Sequence, residues 1–72
     1  MLDRGALLGM LAATEESIAT GVRLIEEQHF RIAALQRAGQ DTLEAERVLS
    51  TLEDTQQLHE RHRDRLKREL GK

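Results

Sequence analysis

Three histidines are the only side chains in this 72-residue sequence that titrate near neutral pH and bind transition metals, since cysteine is absent. His59 and His62 stand three residues apart in His59-Glu60-Arg61-His62, a spacing that sets two imidazoles on one helical face. With a carboxylate from a facing helix, such a pair makes a three-ligand site for zinc or a similar ion. Glu15 is the nearest acid that a hairpin would bring toward it, about one helical turn away. Two imidazoles and one distant carboxylate form a sparse donor set. The competing reading is polar packing, in which a seam histidine bonds to Thr55, Thr20 or a water and helps fix helix register. We expect the polar packing, with His59 at least partly buried in the seam, and no metal or cofactor.

Other reactive constellations are weaker. Glu26-x-x-His29 matches one motif of a di-iron bundle as a string, but such a site needs a second copy of the motif and two further inward glutamates. His59-Glu60 echoes the start of a histidine-kinase phosphoacceptor box, yet those boxes sit on the first helix of a longer hairpin. There is no glycine-rich phosphate loop and no Ser-His-Asp set. The expectation is a non-catalytic protein.

The elements that would position these residues are helices. From Thr14 to Ala38 the only strong breaker is Gly21. At 100° per residue, Ile18, Ile25 and Ile32 recur every seven positions, and Val22 and His29 fall between them. Leu24 and Leu35 widen the apolar arc beyond what one neighbour covers. The run Ala38-Gly39-Gln40-Asp41-Thr42-Leu43-Glu44 then reads as a stop and a start. Gly39 suits the left-handed C′ position, Asp41 caps the next helix, and Glu44 three residues on completes a capping-box pattern. A second helix follows over about 42–69, with Ala45, Val48, Leu49, Leu52, Leu66 and Leu70 on its apolar arc and Thr55, Gln56, His59 and His62 interrupting it. Residues 14–72 thus predict an antiparallel αα-hairpin, with helices over about 14–38 and 42–69 and a turn at 39–41. Residues 1–13 are expected to be flexible or loosely helical. Folding at residues 39–40 places position 62 near Ile18 and position 59 near Thr20 and Gly21. It also places Glu15 and Glu16 near Asp64 and Arg65, so that Arg61, Arg65 and Arg68 gain acidic neighbours.

Composition supports this reading. One aromatic residue (Phe30), no proline and 33% charged residues argue against sandwiches, barrels and turn-rich folds. Net charge is −2, but residues 1–60 carry five basic and eleven acidic side chains, whereas residues 61–72 carry six basic and two acidic. That basic end faces the C-terminal dipole of its own helix, where cations are favoured. Near-absence of stacking groups and an acidic balance place nucleic acid last among partners. The N-terminal apolar run, Gly5 to Ala13, is far short of the about 20 residues of a membrane span. Without a signal-peptide pattern, a cytoplasmic location is expected.

The segments Ile32-Ala33-Ala34-Leu35-Gln36-Arg37-Ala38-Gly39-Gln40-Asp41-Thr42, Ala45-Glu46, Val48-Leu49, Leu52-Glu53, Thr55-Gln56 and Leu58-His59 through His62-Arg63-Asp64-Arg65-Leu66 resemble a group of short, uncharacterised bacterial helical-hairpin proteins. The Gly-x-Asp-Thr turn and the Leu-His-x-x-His-Arg-Asp-Arg-Leu segment are the most specific parts. The resemblance spans roughly half the chain and leaves out residues 1–13. It implies the hairpin and a bacterial source, and it brings no activity.

Two helices of this length meet along one seam, and so short a chain seldom builds a sufficient core alone. The expected fold is therefore all-α, an antiparallel hairpin that dimerises into a four-helix bundle. Ile18, Val22, Leu24, Ile25, His29, Ile32, Leu35, Val48, Leu52, His59 and Leu66 are the expected packing and dimer residues. Self is the leading partner, and a helix from another protein, as in a regulatory adaptor, would satisfy the same argument.

Overall fold

The computed structural model describes residues 3–72 as two α-helices, α1 (Arg4–Arg37) and α2 (Leu43–Leu70), packed as an antiparallel hairpin. No strand occurs among the described residues. The hairpin is all-α, as the patterning predicts.

α1 starts ten residues earlier than the apolar periodicity suggests. Asp3 is its N-cap, with its carboxylate accepting from the backbone N–H of Ala6 at 2.7 Å. From Arg4 onward the segment expected to be flexible or loosely helical is continuous with α1. Met1 and Leu2 lie outside the described residues. Leu7 and Leu11 turn partly inward, extending the seam toward the end of α2. There Arg4 Nη1 donates to the carbonyl of Leu70 at 3.1 Å, holding the two helix ends side by side.

The turn follows the sequence closely. Gly39 takes φ +69, and its N–H donates to the carbonyl of Gln36 at 3.0 Å, while Gln40 donates to that of Leu35 at 2.9 Å. This paired pattern is a Schellman C-cap, which needs a residue tolerant of the left-handed region. Asp41 then accepts from the N–H of Leu43 at 3.0 Å. The second half of the expected capping box is not formed: Glu44 points to Arg47, 3.6 Å away, and the residue flanking the helix is Thr42, whose side chain makes no cap bond. A carboxylate on the first exposed turn gains as much from the i+3 guanidinium as from reaching back.

Most of the buried and half-buried residues step alternately by four and three. They are Leu7, Leu11, Thr14, Ile18, Gly21, Ile25, Gln28, Ile32 and Leu35 on α1, and Ala45, Leu49, Leu52, Gln56, His59, Arg63, Leu66 and Leu70 on α2 after its N-cap Thr42; Ala33, Glu60 and His62 are half-buried at the flanks. This 3.5-residue repeat is that of a left-handed coiled coil. It corrects the expectation for α1 in one respect: Gly21 and Gln28, not Val22 and His29, occupy the positions between the isoleucines, and Val22 and His29 are exposed. The register shifts with it. Gln56, not His59, faces Gly21, because only glycine leaves room for the glutamine carboxamide.

The molecule is a rod of 53 × 14 × 14 Å. Its radius of gyration, 16.4 Å, exceeds the roughly 11 Å of a globular domain of this length. Among the described residues even the most buried, Leu66, keeps 4% of its surface, and no large side chain is fully buried.

Candidate functional site

Two glutamines fix how the helices sit against each other, and they do so reciprocally. Gln28 Nε2, from α1, donates to the carbonyl of Ala45 on α2 at 2.8 Å. Gln56 Nε2, from α2, donates to the carbonyl of Ile18 on α1 at 2.8 Å. Each helix thus reaches across the seam to a backbone acceptor of the other. A Cβ built on Gly21 would overlap the Gln56 carboxamide, lying 2.7 Å from its Cδ, so Gly21 and Gln56 form a matched pair. Gln56 Oε1 is buried and has no hydrogen-bond partner. Thr14, also buried, turns its hydroxyl back to the carbonyl of Met10 at 2.8 Å.

The metal candidates do not converge. His59 and His62 are half-buried, Glu15 is exposed, and among the described residues no group of three or more His, Asp or Glu side chains could hold a metal ion. His59 lines a groove with Ser17, Thr20, Gly21, Leu24 and Thr55, so it shares the Thr20 environment expected for it, although Gln56 holds the position against Gly21. His29 is exposed on α1. Arg61, Arg65 and Arg68 gain no acid from α1: ion pairs among the described residues are local in sequence, as in Arg63–Asp64 at 3.0 Å and Lys72–Glu69 at 3.2 Å.

The remaining packing candidates divide into two sets. Ile18, Ile25, Ile32, Leu35, Leu52 and Leu66 are buried or half-buried in the seam. Val22, Leu24 and Val48 are exposed, as are Leu8, Phe30 and Leu58. Three shallow depressions connect along one side of the hairpin. The first, by the turn, lies between Arg31 and Leu35 on α1 and Asp41, Glu44 and Val48 on α2. It passes through Glu44 and Val48 into a strip at Thr51 and Leu52, and through Leu52 into the groove at Leu24, Thr55 and His59. Arg31, Asp41, Glu44 and Arg47 make this side charged toward the turn, and farther along it hydroxyl and aliphatic side chains mix with Gln56 and His59. The opposite side carries Glu46, Glu53 and Glu60, seven residues apart on α2, beside Glu15 and Glu26 on α1.

Gln28 is the seam residue that the sequence pattern does not single out; Gly21 and Gln56 lie at seam positions in that pattern, but not as partners of one another. The signal that would have found them is the strict alternation of four and three through Thr14, Gly21 and Gln28, which apolar residues alone do not display.

Comparison with family models, with curated proteins and with solved structures finds no match to this chain. No helix is long and apolar enough to cross a membrane among the described residues.

Proposed function

We propose that the chain is a small non-catalytic assembly module whose hairpin pairs with a second copy to form a four-helix bundle. The observation that carries this reading is surface. The hairpin exposes 5459 Å², about 900 Å² more than the roughly 4,500 Å² of a compact monomer of 8.2 kDa. The excess includes aliphatic groups such as Leu24, Val48 and Leu58. Exposed apolar area on a thin two-helix rod is stabilised by a further layer of helices, and a second hairpin supplies one with the same coiled-coil spacing. Light scattering coupled to size exclusion tests it. A dimer mass at tens of micromolar is expected, and a monodisperse monomer at that concentration would exclude self-association.

A further inference from the structure

We infer that Arg61, Arg65 and Arg68 form a row that docks on the phosphate backbone of double-stranded nucleic acid without reading its sequence. The inference does not rest on the self-association proposed above.

The three arginines follow one another by four and three residues on α2. At 100° per residue they stand within about 60° of one another, over about 10 Å of helix. All three are exposed, on the side of α2 opposite Arg63, Leu66 and Leu70, which points away from α1. The acids beside them are engaged elsewhere: Asp64 is held by Arg63 at 3.0 Å, and Glu69 by Lys72 at 3.2 Å. Glu15 and Glu16 belong to α1, behind the row, and no ion pair crosses the seam among the described residues. Asp54 lies on the same line about 10 Å before Arg61, and Glu60 is half-buried to one side. With the two pairs cancelling, residues 61–72 keep the charges of Arg61, Arg65, Arg68 and the exposed Lys67.

The acidic balance of the whole chain weighs against nucleic acid, but it is a sum over both helices, and eleven of the 13 acids lie outside residues 61–72. Two rods that cross touch over a short length only. A duplex lying across the row therefore meets the arginines, while the acidic turn half of the hairpin projects beyond it.

The surroundings of the row decide among anions. Exposed ion pairs alone hold a protein partner weakly. A helix that lies on a membrane needs an apolar side free to insert, whereas α1 covers that side of α2 and only Leu58 edges the row. A phosphodiester backbone requires neither, because each cation that meets a phosphate releases condensed counterions and this drives binding without apolar burial. The guanidinium fork suits phosphate oxygens in pairs. α2 carries no Phe, Tyr or Trp on which unpaired bases could stack, which favours duplex over single strands.

Fluorescence anisotropy of a labelled 20-base-pair DNA duplex, followed between about 20 and 200 mM salt, tests the row. Three phosphate contacts predict a loss of affinity of about 500-fold over that range, equal for two duplexes of unrelated sequence. Arg61→Gln, Arg65→Gln and Arg68→Gln should each remove one contact, so that the loss falls to about 60-fold. Arg37→Gln, exposed on α1 beside the turn, should keep the wild-type salt dependence, and circular dichroism checks that each variant stays helical. No binding at the lowest salt, a salt dependence that none of the three substitutions changes, or a single strand bound as tightly as the duplex would overturn the inference. Tighter binding to phosphatidylserine vesicles or to polyglutamate than to the duplex would also overturn it, by assigning the row to lipid headgroups or to carboxylates.

Discussion

Near the turn the seam is filled mainly by Ile25, Ile32, Leu49 and Leu52, with Gln28 set among them, and at the far end by Leu7, Leu11, Leu66 and Leu70; between them Thr14, Gly21, Gln56, His59 and Arg63 take the same inward positions, with Ile18 as the aliphatic residue in their midst. The repeat is unbroken through both kinds of stretch, so their difference separates two jobs that one seam must do. Aliphatic layers remove area from water but tolerate a slip of one heptad, since leucine against isoleucine is much like leucine against leucine. The central layers bury less apolar area and tolerate no slip. Moving α2 by seven residues would take Gln56 from Gly21 and part both glutamines from their carbonyl acceptors. Polar groups in a seam commonly define register at a cost in stability, and the unpartnered Oε1 of Gln56 is part of that cost here.

The sharpest separation of the two jobs compares an aliphatic deletion with a central one. Leu66→Ala removes the most buried side chain and should lower stability by about 2–4 kcal/mol, read from urea unfolding at fixed protein concentration. A loss below about 1 kcal/mol would mean that the far aliphatic layers contribute little, and the division drawn between ends and centre would fail.

Gly21→Ala probes the centre, and its sign is informative. Helix propensity alone favours alanine by about 1 kcal/mol. In this seam the added Cβ displaces the Gln56 carboxamide, breaking its bond to Ile18 and stranding a buried polar group, a loss of about 1–3 kcal/mol. We expect a net destabilisation of about 1 kcal/mol. In a Gln56→Ala background the same substitution should instead stabilise by about 1 kcal/mol. A double-mutant cycle on the unfolding free energies reads the reversal directly. Gly21→Ala stabilising in both backgrounds would show that the glycine is not fitted to Gln56.

These central residues also mark where the sequence stopped being legible. The turn was readable because Gly39 and Asp41 each solve a local problem, a left-handed C′ residue and a free N–H, that belongs to the backbone and needs no partner. Ile18, Ile25 and Ile32 were readable because their spacing is apolar and periodic. Apolar periodicity favours Val22 over Gly21, and His29 over Gln28, because it cannot register a position whose value is an empty space or a hydrogen bond to the other helix. The register it predicts therefore sets His59 where Gln56 stands. α1 begins at Arg4, ahead of the apolar periodicity, for a related reason. Gly5 and Gly9 lower helix propensity over residues 4–13; the cap at Asp3 is local, but the inward turn of Leu7 and Leu11 that offsets the glycines depends on α2 extending alongside.

The smallest expected effect tests that last dependence, at the open end where no turn joins the helices. Asp3→Ala removes the carboxylate that receives the Ala6 N–H at 2.7 Å. Loss of an N-cap side chain generally costs about 0.5–2 kcal/mol. Here the low end of that range, about 0.5 kcal/mol, is expected, because Asp3 is exposed and the first turn carries Gly5. The loss should be local: amide hydrogen exchange should quicken over residues 4–9 and stay unchanged near Ile25 and Ile32, since fraying opens only the terminal layers. If the aliphatic layers at Leu7 and Leu70 hold the open end by packing, exchange at Leu11 keeps its wild-type protection in the variant. If protection at Leu11 falls together with that of residues 4–9, the cap and not the aliphatic packing closes this end, and the far stretch of the seam differs from the turn stretch in more than position.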